Sequence, residues 1–381
     1  MHKATIRVFY PLGKGIIVLR TEEDWKKDIE PAFIDEKSHC YIFEIAHRHP
    51  VLNYKPCMRT PRAFHWARGT NRLAILGDNM PNDIYPYFFS DTGGTITGIH
   101  VFHSKVYRTH RLLRAYLPEG YQENTLKRYS VVYMQDGKNL FFPQEAFLGQ
   151  DWKIDENLDL LNKMNLTEQL IIVGVYAEKR EKEYTLPGYE RYGEFMTKEI
   201  VPSVDSEFRT LTGPWQTAVM GSSMGGVVSF YLAWQHPDKF GYAACLSSSF
   251  SLGDNLIERV QDEPLESHRD FRVYLDSGWP GDNYDVTIEM ASALMARGFR
   301  IGINMVHFAF PLAEHSEKHW AERFHIPIQI FAGRLRRTNL RLMHPESFPP
   351  VAVHPHPVKA LSKDRKARLS PRAPISRARR R

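Results

Sequence analysis

The chain lacks the sequence features of a membrane or secreted protein. No run approaches the roughly 18 consecutive apolar residues that a membrane-spanning helix needs. The first residues also lack the apolar core and small-residue cleavage site of a secretory signal. We therefore expect a cytoplasmic protein with no membrane partner.

Cysteine is equally scarce. Cys40, Cys57 and Cys245 are the three cysteines of the 381 residues, and no two of them have C-x-x-C spacing. An odd, widely separated set argues against a disulfide framework and against a zinc site.

A net positive charge is confined to the C-terminal end of the chain. The formal net charge is +6, but residues 334–381 hold 14 Lys and Arg against Glu346 and Asp364, a local charge of +12. Residues 1–333 therefore carry −6, so we expect no nucleic-acid partner for the folded part. The tail also contains seven prolines, a composition typical of a disordered segment. It is interpreted either as a polyanion contact or as a solvated extension.

Short β-like runs bounded by turn residues occupy the first hundred residues. They lie at residues 6–10, 15–19, 40–45, 72–76 and 99–102. This spacing predicts a small all-β sandwich over residues 1–105, either Ig-like or carbohydrate-binding-like. Trp25 and Trp66 lie near the edges of these runs, where they could stack on sugar rings or belong to the core.

After Val106, apolar strands alternate with helical segments. Strands are predicted at residues 130–134, 170–175, 242–246, 271–275 and 302–308, with helices near 155–164, 191–208 and 286–297. This alternation is typical of βαβ units with helices on both faces of a mostly parallel sheet. We expect a three-layer α/β domain over residues 106–333.

Residues 219–226 match the pattern G-x-S-x-G, with Ser223 at its centre. An apolar run leads into the motif, and a helical segment that ends before Pro237 follows it. The flanking glycines permit a sharp turn, so Ser223 Oγ would stand above a helix N-terminus and the N–H of Met224 would face a developing oxyanion. This context predicts the nucleophile elbow of an α/β-hydrolase.

A serine nucleophile needs a base and a group that orients the base, and in this fold they follow as acid and then histidine. His315, just past the last predicted strand, is the expected base, and His319 is a weaker candidate. His307 lies inside the last predicted strand and His325 lies in the segment after the next helix, so both are expected to be structural. The spacing of His315 and His319 fits no zinc-binding motif, so neither a metal nor a cofactor is expected.

Two carboxylates compete for the role of the acid. Asp276 ends the predicted strand at 271–275, where it could instead cap the turn. Asp282 lies deeper in the same loop, where it could instead cap the next helix. We favour Asp282, with Asp276 as the alternative.

A second oxyanion donor is expected from the loop after the first central strand. Gly137 lets the backbone approach closely there, so the N–H of Lys138 would act together with that of Met224.

Taken together, the stretch 132–141, the motif at 221–226 with His236 and Pro237, and the late segment 315–317 resemble an esterase family of α/β-hydrolases. This family includes enterochelin esterase, S-formylglutathione hydrolase, feruloyl esterases and mycolyltransferases. The resemblance covers about residues 112–333 and implies Ser223 as nucleophile, His315 as base and an oxyanion donor near Lys138. The acid segment is longer here than in the family pattern, and the basic tail has no counterpart in it.

The sequence thus predicts a serine esterase that hydrolyses a small-molecule carboxylic ester through an acyl-enzyme on Ser223. Two alternatives stay open. One is acyl transfer at the same site, and the other is an inactive hydrolase-fold protein that only binds its ligand.

Overall fold

The N-terminal residues form two small β-sheets that share one core. A computed structural model describes residues 1–77, 82–253, 255–264 and 270–334. The polyanion interpretation of the basic tail concerns residues outside this part, apart from Arg334. The strands of the two sheets are β1 His2–Phe9, β2 Ile16–Thr21, β3 Asp24–Ile29, β4 Phe33–Asp35, β5 Cys40–His47, β6 Val51–Arg59, β7 Phe64–Trp66, β8 Arg72–Ile75 and β9 Asn82–Ile84.

The first sheet has the order β4-β5-β1-β9, and the second has the order β3-β2-β6-β7 with β8 also paired to β6. Alternate residues of β1, among them Ile6 and Val8, point into the core shared with Ile17 and Leu19 of β2. The period of two in the sequence therefore gives each sheet one apolar face.

Trp25 and Trp66 both lie on the second sheet, with their ring centroids 6.3 Å apart. Trp66 is 39% exposed, and the guanidinium of Arg20 lies over its ring at 5.2 Å. The idea that these rings stack on sugars stays a prediction.

A nine-stranded sheet forms the centre of the rest of the chain, with the order β10-β12-β14-β13-β15-β16-β17-β18 and β11 paired to β12. Neighbours from β14 to β18 are parallel, whereas β12 runs antiparallel to β14. The strands are β10 Thr95–Ile96, β11 His100–Ser104, β12 Thr109–Leu117, β13 Ser130–Met134, β14 Leu170–Val175, β15 Thr217–Ser222, β16 Tyr242–Leu246, β17 Arg272–Trp279 and β18 Met305–Pro311.

Two strands that precede residue 105 belong to this large sheet. Both β10 and β11 pair antiparallel with β12. The run at 99–102 is thus extended, as its composition predicts, but its partner is β12 and not a strand of the two small sheets.

Helices cover both faces of the large sheet. They are α1 Ile154–Lys163, α2 Arg180–Glu183, α3 Gly188–Phe195, α4 Val201–Glu207, α5 Met224–Gln235, α6 Leu256–Asp262, α7 Tyr284–Ala296, α8 Glu317–Arg323 and α9 His325–Ala332, with a π-helical turn at Met196–Ile200 joining α3 to α4. Successive residues of β13 face opposite cores. Val131 and Tyr133 pack with α3 to α7, and Val132 and Met134 pack with α1, α8 and α9. Among the described residues, no helix has the length and apolar character needed to cross a membrane.

The small sheets are attached to the α/β part by buried hydrogen bonds. The side chain of Asn124 is 1% exposed and donates to the carbonyls of Phe9, at 2.9 Å, and Pro86, at 2.8 Å. The carboxylate of Glu123 accepts from Tyr10 Oη and from the Phe88 N–H. Buried backbone carbonyls need such donors, so this contact is part of the folded core.

Candidate active site

Ser223 stands in a strained turn between a strand and a helix. Strand β15 ends at Ser222, helix α5 begins at Met224, and Ser223 has φ 56° and ψ −126°. Such a backbone is unfavourable for any residue with a Cβ and is typical of a nucleophile elbow. A Cβ on Gly221 would lie 2.5 Å from the carbonyl oxygen of Gly225, so only glycine permits this turn.

His315 lies in the segment after β18 and contacts one of the two candidate acids. Its Nδ1 is 2.6 Å from Oδ1 of Asp282, whose side chain is 1% exposed. An Nδ1–H that donates to the carboxylate leaves Nε2 as the ring atom able to accept a proton. The edge of the imidazole also packs on Trp320, with the ring centroids 4.9 Å apart.

Hydrogen bonds keep Asp282 ionised. Burial raises the pKa of this carboxyl, but the bonds from His315, from Ser247 Oγ at 2.6 Å and from the N–H of Gly278 at 2.8 Å outweigh burial and lower the pKa below its usual value. Asp282 is therefore suited to orient the ring and to stabilise its charged form.

Asp276 lies in the same network but in a different role. It is fully buried, and its Oδ2 accepts from Arg323 Nε at 3.0 Å and from Tyr274 Oη at 2.7 Å. Burial raises the pKa of Asp276, against the opposing charge of Arg323. The structure brings Asp282, and not Asp276, to His315.

The hydroxyl of Ser223 forms its hydrogen bond with another serine. Ser223 Oγ is 3.1 Å from Ser249 Oγ, which also accepts from Asn283 Nδ2 at 3.1 Å. No hydrogen bond joins Ser223 to His315 anywhere in the described part of the chain. Since catalytic hydrogen bonds often tighten only when substrate is bound, this geometry does not argue against the pair.

Two backbone N–H groups beside the elbow have no partner among the described residues, those of Met224 and Lys138. The first opens helix α5, and the second lies in the turn Gly137–Asn139 after β13. A Cβ on Gly137 would lie 2.6 Å from the backbone of Gly174, so glycine lets this turn approach the sheet. An oxyanion hole requires unpaired backbone donors close to the nucleophile, so these two N–H groups are its candidates.

A cavity of about 520 Å³ opens next to these donors. Met224, Lys138 and Arg180 are among its lining residues, and Arg180 forms an ion pair with Asp136 at 2.7 Å. Further charged side chains line the cavity, namely Glu178, Lys179, Glu181 and Lys182.

Among the described residues, neither Ser223 nor Asp282 forms a hydrogen bond with His319, His307 or His325. His319 Nδ1 accepts from the Glu314 N–H at 2.8 Å, within its own segment. Burial lowers the pKa of His307 in β18 and of His325 in α9. Within the described ranges, no group of three or more His, Cys, Asp or Glu side chains could hold a metal ion.

Sequence reasoning missed three residues that fix the acid. Ser247 Oγ donates to Asp282 and accepts from Trp320 Nε1 at 3.0 Å and from Arg323 Nη2 at 2.5 Å. The polar run at residues 247–249, directly after the buried strand β16, was a weak sequence signal for a functional site. Arg323 gave none, since it lies on a helix distant in sequence from both aspartates.

Comparisons with known proteins agree with this architecture. A family profile described as "Putative esterase" matches residues 104–325. A curated endo-1,4-beta-xylanase/feruloyl esterase from Xylanibacter ruminicola is 25% identical over 224 residues, which are 57% of this chain and 29% of that protein. The chain likewise spans only 56% of an uncharacterised Bacillus subtilis protein, 30% identical over 144 residues.

Solved structures show the fold. A ferulic acid esterase superposes with a TM-score of 0.55 at 18% identity and covers 63% of this chain and 98% of its own. A ferric enterobactin esterase from Salmonella typhimurium covers 86% of this chain and 93% of its own, with a TM-score of 0.52 at 14% identity. These neighbours are α/β-hydrolase-fold esterases. The profile matches more than half of the chain, and the chain belongs to this esterase family of α/β-hydrolases.

Proposed function

We propose that this protein is a serine esterase that hydrolyses a carboxylic ester through an acyl-enzyme on Ser223. The observation that carries the proposal is the 2.6 Å contact of His315 with Asp282. Both residues follow the carboxyl ends of parallel strands of the sheet, as does the strained turn at Ser223. Membership of the esterase family supports ester hydrolysis as the reaction class.

In the proposed reaction, Ser223 Oγ attacks the ester carbonyl carbon while His315 Nε2 takes the hydroxyl proton. The N–H groups of Met224 and Lys138 donate to the carbonyl oxygen as it becomes an oxyanion. The tetrahedral intermediate collapses as the C–O bond to the alcohol breaks, and His315 returns the proton to the leaving oxygen. A water molecule then releases the acyl group by the same steps. Asp282 orients His315 and stabilises its charged form throughout.

The charged side chains that line the cavity beside Met224 favour an ester with polar or charged groups over a long aliphatic acyl chain. Among relatives, the one named a feruloyl esterase makes a hydroxycinnamoyl ester a natural first candidate. A panel of feruloyl, acetyl and siderophore esters would rank these classes by kcat/KM.

The decisive test is the Ser223→Ala variant of the full chain. The wild type should cleave p-nitrophenyl acetate and react with a fluorophosphonate probe, since only an activated serine reacts with the probe. We expect the variant to lose the label and at least about 10⁴-fold in kcat. Ser206→Ala is a matched control, because Ser206 is exposed and remote from the motif. Hydrolysis by Ser223→Ala at the wild-type rate would refute the proposal.

A further inference from the structure

Glu317 connects the segment of the proposed base to the turn of the proposed oxyanion donor. It is the first residue of α8 and lies two residues after His315. Its Oε1 accepts from Asn139 Nδ2 at 2.9 Å, and its Oε2 accepts from the indole N–H of Trp152. Asn139 directly follows Lys138, whose N–H is one of the two free donors. One carboxylate therefore links the segment that carries His315 to the turn that carries Lys138.

Both donors to Glu317 are themselves held in place. The backbone N–H of Trp152 donates to the backbone carbonyl of Asn139 at 2.9 Å. The side-chain Oδ1 of Asn139 accepts from the backbone N–H of Phe147 at 3.1 Å. Trp152 is 3% exposed, so it cannot follow a displaced carboxylate without repacking its surroundings.

The contacts continue from Trp152 to the base. The ring of Trp152 packs against Trp320 with the centroids 6.0 Å apart, and Trp320 packs against His315. The two loops are thus joined twice, once through the carboxylate and once through the indoles.

The surroundings of Glu317 disfavour its ionised form. This argues that the carboxylate does not serve the stability of the fold. Burial is the main cause that raises the pKa of Glu317, to about 7, and the nearby charge of Asp136 adds to it. The hydrogen bonds from Trp152 and Asn139 and the charge of Arg180 oppose this rise. As the pH falls through this range the carboxyl takes up a proton, and one of its oxygens becomes a donor and a poorer acceptor for the two N–H groups. The bridge is therefore complete only in the ionised state.

We propose that Glu317 is a positioning residue, whose carboxylate fixes the distance between His315 and the Lys138 N–H by accepting from Asn139 and Trp152. The inference rests on the function proposed above, because it assigns a role within that site. A small misplacement of catalytic groups can lower kcat by about 10²-fold. Loss of the hydrogen bonds to Glu317 should therefore have a measurable effect on kcat.

The test compares Glu317→Gln and Glu317→Ala with the wild-type full chain. Glutamine keeps the size and one acceptor oxygen but places an NH₂ group opposite one of the two donors. We expect kcat to fall roughly ten- to hundredfold, with KM changed less than about threefold, because the ground-state contacts of the substrate are retained. Glu322→Gln is the matched control, since Glu322 lies exposed on the same helix. Thermal unfolding of each variant shows whether it is folded at the assay temperature.

Two readouts separate positioning from a merely structural role. In the wild type, protonation of Glu317 should lower kcat/KM further as the pH falls through about 7, and Glu317→Gln should remove this part of the acidic limb. In a double-mutant cycle with Asn139→Ala, the losses in kcat should be less than additive, because both changes break the same bridge.

The outcomes are distinct. A wild type that the fluorophosphonate probe labels, together with Glu317 variants that match it in kcat and in the acidic limb, overturns this inference and leaves the esterase proposal intact. Variants with a lowered melting temperature but wild-type kcat also overturn it, since the residue would then serve the fold alone. A wild type that the probe does not label overturns both proposals.

Discussion

The Oδ1 atom of Asp282 lies 2.6 Å from Nδ1 of His315, while Oδ2 of the same carboxylate accepts from Ser247 Oγ and from the Gly278 N–H. Three donors thus hold a carboxylate that is 1% exposed, and only one of them belongs to the proposed catalytic machinery. The direction in which the acid points is therefore set by the fold before any substrate binds.

Exchange of the two aspartates for asparagine should separate their roles. Asp282→Asn should fold but lose roughly 10⁴-fold in kcat, because asparagine stabilises the wrong tautomer of His315. Asp276→Asn should instead lower the free energy of unfolding by about 3–5 kcal/mol, since it leaves the buried charge of Arg323 without its closest partner. Urea unfolding and esterase assays of both variants measure the two effects. Equal loss of kcat in two equally stable variants would contradict this division.

Gly137→Ala tests the turn that carries the second oxyanion donor. The added Cβ would lie 2.6 Å from the backbone of Gly174, so the turn must shift and carry the Lys138 N–H with it. We expect kcat to fall by about 10²- to 10³-fold, the usual cost of removing one oxyanion donor. Gly98→Ala is the control, because a Cβ there meets no atom within 4 Å. A Gly137→Ala protein with wild-type kcat would place the second donor elsewhere.

The three thiols should be inert in the native protein. Burial raises the pKa of Cys40 to about 11 and of Cys57 to about 12, and it raises the pKa of Cys245 well above its usual value. Because the thiolate is the reactive form, the native protein at pH 8 should react with Ellman's reagent only on the timescale of unfolding. In guanidinium chloride all three thiols should react within minutes. Rapid modification of the native protein would show that at least one thiol is accessible.

A buried lysine should make stability rise with pH. Burial lowers the pKa of Lys127 to about 7, and its Nζ donates to Gln169 Oε1 at 2.7 Å. From pH 7 to about 10 the unfolded chain still binds a proton that the folded chain has released, so this residue adds stability as the pH rises. Lys127→Met should lose that contribution, and the exposed Lys163→Met should keep it. The comparison is the change in urea midpoint between pH 7 and pH 9. An unchanged pH slope in Lys127→Met would contradict the assignment.

Local features of the site could be predicted from the sequence. The motif around Ser223, the apolar run of β13 and the strands and helices after residue 106 follow from turn chemistry and periodicity, which act over a few neighbouring residues. The same reasoning placed His315 after the last strand, and the resemblance to the esterase family is confirmed by the family profile.

Contacts between distant residues could not be predicted in this way. Which aspartate meets His315 depends on such contacts. Arg323, 47 residues beyond Asp276 in the chain, lies 3.0 Å from Asp276 Oδ2 and 3.6 Å from Asp282 Oδ2. The run at 99–102 has the composition of a strand, but composition does not name the strand it pairs with. The partner of a strand depends on which strand of a sheet has an unpaired edge in the folded molecule.

The pairing of β10 and β11 with β12 has a consequence for solubility. These two strands cover the outer edge of the nine-residue strand β12, whose N–H and C=O groups would otherwise be open to another chain. An open edge of that length is a template for intermolecular β-pairing. We therefore expect residues 95–104 to limit intermolecular β-pairing along β12. A shortened protein should begin before Thr95, and not at residue 106, if it is to stay monodisperse.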